Sequence, residues 1–215
     1  MYEIIKELTK SYEELNQELF GGNLPPAIIT IGYNEKKPKT EEDTVLGIFY
    51  PDIKWTKNND KYIAIAITSD AMKQGVVRIL STLVHEMVHG YCKVMNIDDM
   101  EEKNKKKHNE EFKVYAEMAK LEVQYHKKVG WGATFPTSEL IDIFDNLDID
   151  RDVFDVDCDI VYTKQEKKKS GGKKKFKHIC PVCQRKVSTK DGNLLICGIC
   201  NVEMSVEAPE DPIKE

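Results

Sequence analysis

The stretch STLVHEMVHGYCKV, residues 81–94, holds two histidines four apart with a glutamate directly after the first: His85, Glu86 and His89. A helix turns about 100° per residue, so His85 and His89 share one face, a single turn apart. Two imidazoles so placed can share one ion. Glu86 then stands beside the ion rather than on it, where a base for an activated water belongs. Catalytic zinc takes three protein ligands and keeps its fourth position for water, so the chain must supply a third. His108 is the first candidate, where a polar loop meets a further helix. A carboxylate of that helix, from Glu110, Glu111 or Glu117, is the alternative, and His126 reads as a surface histidine. Burying two histidines and a glutamate in so apolar a helix without a partner would cost on the order of several kcal/mol, which an ion removes.

A second constellation lies near the C-terminal end. Four of the six cysteines form two CxxC pairs, Cys180 and Cys183 in CPVC and Cys197 and Cys200 in CGIC, with thirteen residues between the pairs. Two such turns facing each other make a tetrahedral four-sulfur site closed to water. That predicts a structural zinc ribbon, with rubredoxin-like iron as the alternative. Pro181 and Gly198 suit tight turns, and KVSTKDGNLLIC between the pairs reads as a hairpin turning at Asp191-Gly192. A module this small depends on its metal for much of its stability. Cysteines in CxxC pairs indicate a reducing compartment. The remaining two, Cys92 and Cys158, read as buried thiols.

Several elements must position these groups. Residues 2–20 carry apolar side chains at helical spacing, and FGGNLPP ends that helix. AIITIGY (27–33), TVLGIFY (44–50) and KYIAIAIT (61–68) read as three strands. A second helix runs from Ser69 or Asp70 to about Met95. Its apolar residues nearly encircle it, so it is expected at the centre of the core. Residues 96–109 read as a loop and 109–128 as a third helix, broken by GWGATFP. TSELIDIFDNL reads as a short helix capped by Thr137 or Ser138. DVFDVDCDIVYT (152–163) alternates apolar and acidic residues, as a half-wet edge strand does.

The chain has 215 residues and a net charge of −5, with 40% hydrophobic and 32% charged residues. No global basic character argues for nucleic acid, but the distribution is uneven. Residues 164–177 hold eight lysines and one glutamate and read as a low-complexity linker. With Arg185, Lys186 and Lys190 it forms a basic patch able to neutralise phosphates. The N-terminus shows no signal-peptide pattern, and no window is apolar for long enough to span a bilayer. The acidic run from Asp148 fails as a calcium loop, because Val153 and Asp159 fall where glycine and glutamate are required.

YEELNQELFGGNLPPAIITI, VLGIFY, IAIAIT, LSTLVHEMVHGY and HNEEF together resemble the SprT-like (Spartan-related) zinc metalloproteases over residues 10–120. HNEEF is similar to the family segment H-G-x-x-F, with Asn109 in place of the glycine. Many members also end in a zinc ribbon. The resemblance implies an α+β, zincin-like metalloprotease domain, with His85, His89 and His108 as zinc ligands and Glu86 as the catalytic glutamate. It further implies peptide-bond hydrolysis and, for the best-known relatives, protein substrates crosslinked or bound to DNA.

The expected organisation is a protease domain over 1–163, a linker over 164–177, a ribbon over 178–206 and a disordered tail over 207–215. The expected cofactors are two zinc ions, one catalytic and one structural. The expected partners are a protein substrate, held by edge pairing to KYIAIAIT or its neighbour, and DNA through the linker and ribbon. No membrane association is expected, and the chain is expected to be a cytoplasmic monomer. The alternative is a DNA- or transcription-associated zinc-binding protein whose HExxH site is structural or inactive.

Overall fold

The computed structural model describes residues 1–33, 44–57, 60–156, 176–189 and 194–207. The chain divides into two compact units, Met1–Tyr162 and Thr163–Glu215. The first is α+β, with five helices and two small sheets among the described residues.

Helix α1 (Tyr2–Phe20) buries Ile4, Leu8, Tyr12 and Leu15 along one stripe. Gly21, at φ 59°, ends it in the left-handed conformation that glycine adopts without strain. The Asn16 amide then brackets Leu24, donating to its carbonyl and accepting from its N–H. Tyr12 donates to the Pro25 carbonyl at 2.6 Å. These bonds aim the chain into β1 (Ala27–Gly32). Strand β3 (Asp60–Thr68) is central in the first sheet, parallel to β1 and antiparallel to β2 (Gly47–Lys57), in the order β1-β3-β2. KYIAIAIT is therefore paired on both sides, and among the described residues its neighbours β1 and β2 form the edges.

The helix expected from Ser69 to Met95 is two helices. A single turn, α2 (Ser69–Met72), gives way to α3 (Val76–Val94) across Gly75, whose φ of 80° no helix interior allows. Ile79, Leu80, Leu83, Val84, Met87 and Val88 of α3 are all fully buried, so it is the central element its pattern predicts.

Two expectations about the following segment are overturned. The loop 96–109 contains a short hairpin, β4 (Met100–Glu101) and β5 (Asn104–His108). The helix expected over 109–128 stops at Met118: α4 spans Glu110–Met118, and LEVQYH forms β6 (Leu121–His126). Lys120 at φ 63° turns the chain back. GWGATFP is no break but β7 (Gly130–Pro136), antiparallel to β6, and the second sheet runs β4-β5-β7-β6. Helix α5 (Ser138–Asp145) is capped by the Thr137 hydroxyl, which accepts from Leu140 N and donates to the Lys120 carbonyl. The beginning of the expected acidic strand is a 3-10 turn, Asp152–Phe154, because Phe154 is drawn into the core. From residue 157 on, that segment, with Cys158, lies outside the described residues.

In the second unit β8 (Phe176–Ile179) pairs with both β9 (Lys186–Thr189) and β10 (Ser205–Glu207). Among the described residues two hairpins are seen, each carrying one CxxC at its tip. β9 pairs back onto β8 around CPVC, and Ile196 bridges Glu203 around CGIC. The Asp191-Gly192 turn, the tail from residue 208 and nearly all of the lysine linker lie outside the described residues. Among the described residues no helix is long and apolar enough to cross a membrane.

Candidate metal centre

Two elements bring the histidines together. α3 supplies His85 and His89, and the end of β5 supplies His108. One ring nitrogen from each lies within 4.8 Å of the other two. The three rings pack around Phe112 in tilted and edge-on contacts, with its centroid 4.8 Å from His85, 4.8 Å from His89 and 4.3 Å from His108. Among the described residues the grouping takes His108 as its third member; Glu110, Glu111 and Glu117 are exposed on α4. His126 sits on β6, outside the group.

Every histidine has a second partner on Nδ1. His89 Nδ1 lies 2.5 Å from Asp99 Oδ2, His108 Nδ1 lies 3.0 Å from the Val129 carbonyl, and His85 Nδ1 lies 2.9 Å from Thr134 Oγ1. A carboxylate and a carbonyl can only accept, so Nδ1 of His89 and of His108 carries a proton. The two Nε2 atoms stand 3.0 Å apart, a separation that a proton on one of them or a shared metal ion would bridge. Burial, reinforced by the neighbouring imidazoles, holds His85 well below the ordinary histidine range, and burial first of all brings His108 down to about 4. Both are thus the neutral ligand form at pH 7. Two nitrogens each about 2.05 Å from a tetrahedral zinc would lie about 3.3 Å apart, so this donor set fits such an ion.

Glu86 is 5% exposed, and burial pushes its carboxyl up to about 7. The Phe49 backbone N–H donates to it. Gly47 explains how β2 comes so close, since a Cβ there would lie 2.6 Å from Glu86 Oε1 and 2.7 Å from Thr82 Cγ2. In the β2–β3 register the Thr68 N–H bonds the Leu46 carbonyl. That phase turns the amides of Gly47 and Phe49 away from β3, towards the edge of β2 that has no strand partner among the described residues. Glu86 therefore reaches that edge of β2.

Strand β7, read from sequence as a break, supports two of the three rings. A Cβ on Gly132 would lie 2.2 Å from His108 Nδ1, and one on Gly130 2.2 Å from the His108 carbonyl oxygen. Thr134 orients His85, and Arg78 of α3 ties the strand down by donating to the Thr134 carbonyl at 2.7 Å. Sequence reasoning missed Asp99, Thr134, Gly47 and these two glycines. The only local signal was the GxG spacing of Gly130 and Gly132 in a strand-length segment, where close backbone approach is one reading.

In the second unit Cys180, Cys183, Cys197 and Cys200 form the other grouping able to hold a metal among the described residues, with all sulfurs within 4.8 Å of one another. Cys183 Sγ and Cys197 Sγ are 3.7 Å apart, against about 3.8 Å for two sulfurs on a tetrahedral zinc. The two turns repeat one design. The N–H of the first cysteine donates to the carbonyl five residues on, and its own carbonyl accepts from the residue four on: Arg185 and Gln184 in one turn, Val202 and Asn201 in the other. The left-handed residues are Gln184 (φ 60°) and Asn201 (φ 53°), not the Pro181 and Gly198 singled out from sequence. In each turn the N–H of the second cysteine is the chief influence holding the first thiol below its ordinary range, favouring the thiolate that a metal takes.

No family model, curated protein or solved structure matches the chain.

Proposed function

We propose that the chain is a zinc-dependent metallopeptidase of the SprT-like type, with a zincin-like first unit and a structural zinc in the second. The observation that carries this reading is the arrangement around α3: three histidines with their Nδ1 atoms engaged and their Nε2 atoms converging, beside a buried glutamate that faces the edge of β2.

His85, His89 and His108 would hold the catalytic ion, which, when bound, supplies a Lewis acid for the scissile carbonyl and a water of lowered pKa. The chain's own residues do the rest. An extended peptide pairs with the edge of β2 that has no strand partner among the described residues, through the Gly47 backbone and the Phe49 carbonyl, which lays its own carbonyl beside Glu86. Glu86 takes a proton from the attacking water on a carboxylate oxygen and delivers it to the leaving amine nitrogen. Phe112 and the surrounding core keep bulk water from the back of the rings. DNA-associated proteins are the substrate class that the resemblance favours.

Replacing Glu86 with glutamine tests this reading. The Glu86→Gln chain should keep its zinc and its fold while losing hydrolysis of an unfolded protein such as casein. Equal hydrolysis by both chains would exclude the enzyme.

A further inference from the structure

Asn109 stands between His108 and α4, and its side chain works in two directions. Its Oδ1 accepts from Phe112 N at 3.0 Å, capping α4. Its Nδ2 donates to the Asp98 carbonyl at 2.6 Å and to the Met100 carbonyl at 3.2 Å. Its backbone N–H donates to the Asp99 carbonyl at 3.1 Å. Three consecutive carbonyls are thus turned onto one residue, and the Asp99 carboxylate meets His89 Nδ1. Serine or aspartate would cap the helix equally well. Only a side-chain amide offers the helix an acceptor and the carbonyls their donors at once.

The geometry points to Asn109 as a positioning residue of the histidine centre: its amide fixes the Asp98–Met100 segment so that Asp99 holds the His89 ring, and so ties that ligand to the segment carrying His108. The inference rests on reading the three histidines as a metal site. Without the amide donors, the carbonyls of Asp98 and Met100 turn to solvent for partners and the segment can rotate. Asp99 then swings off His89, and the ring loses both its tautomer and its aim. Losing a partner of this kind lowers metal affinity about 10–100-fold.

The test uses the full chain and Zn2+ alone, in competition with a chelator, with thermal unfolding followed alongside. His85→Ala identifies which zinc belongs to the histidine centre. Asn109→Asp and Asn109→Ser both keep a capping oxygen and lack the amide. With zinc stripped, each should unfold near the wild-type temperature, and each should bind the histidine-centre zinc about 10–100-fold more weakly, with the ribbon zinc unchanged. In an Asp99→Asn background, Asn109→Asp should weaken binding by less than about threefold more, because the two act through one contact. With Co2+ substituted, the d–d absorption of the histidine centre should shift in the Asn109 variants as in Asp99→Asn.

Wild-type affinity in both Asn109 variants overturns the inference. So does an equal loss with and without the Asp99 carboxylate, or the unfolding of both variants, which would make the role one of fold support alone. A wild-type chain that holds no zinc sensitive to His85→Ala sinks the site reading itself and this inference with it, a result distinct from the other three.

Discussion

Gly132 gives the sharpest single perturbation of the histidine centre. A methyl group there would lie 2.2 Å from His108 Nδ1, 2.6 Å from Cε1 and 3.0 Å from Cγ. Ordinary contacts at such a carbon are 3.4 Å or longer, so the ring must retreat by about 1 Å in the Gly132→Ala chain. Metal–nitrogen bonds tolerate about 0.2 Å, and the His108 Nδ1 bond to the Val129 carbonyl, now 3.0 Å, would be lost together with the ligand. The loss should be at least that of an outer partner, about 10–100-fold in zinc affinity, with hydrolysis falling in parallel. Chelator competition measures the first and casein turnover the second. Circular dichroism confirms that β7 still forms. Gly198→Ala is the control, because a Cβ there meets nothing within 4 Å; it should leave both zinc sites as they are. A folded Gly132→Ala chain with wild-type zinc affinity would refute the placement of His108 against this strand.

Three further outcomes follow from the same geometry. Gly47→Ala puts a methyl 2.6 Å from Glu86 Oε1; it should lower turnover at least tenfold, on the order expected when a catalytic group shifts by an ångström, while zinc content measured by atomic absorption stays at the wild-type level. In the zinc-stripped chain buried His108, at about 4 against an ordinary 6.5, binds fewer protons folded than unfolded, so its contribution is full above about pH 6.5 and falls as the pH drops towards about 4, by about 3 kcal/mol for this group alone. Glu86, raised to about 7, works in the opposite sense, so the His108 part is the pH dependence that His108→Gln removes; melting temperatures of wild type and His108→Gln that run parallel over that window would contradict it. Tyr12→Phe removes the bond to the Pro25 carbonyl, 2.6 Å long and buried, and should destabilise the fold by about 1 kcal/mol in urea unfolding.

The legible parts of this chain were those whose pattern admits one structure. The apolar surround of α3 and the four-residue spacing of its histidines specify a buried helix with both rings on one side. The CxxC pairs specify converging sulfurs. Where a pattern admits two structures, packing decided. Phe112, Ala116 and Ala119 repeat at helical spacing, and Val123 continues the series, so nothing marks the end of α4. Leu121, Val123 and Tyr125 satisfy a strand just as well, and the reversal falls on Lys120 rather than on a glycine that would have announced it. The partners behind the ligands were illegible for another reason. Asp99, Thr134 and the Val129 carbonyl reach the imidazoles only once β5 and β7 have closed on α3, and no local spacing encodes those contacts. Gly130 and Gly132 were read as punctuation because a glycine pair looks the same whether it ends an element or admits a ring.

The most direct measurement is zinc per chain for the wild type and for His108→Ala, purified without added metal and analysed by mass spectrometry under native conditions. The account predicts two ions in the wild type and one in the variant, the survivor removed by further replacement of Cys180 and Cys197. Two ions in the His108→Ala chain, or a single one in the wild type held entirely by the cysteines, would contradict it.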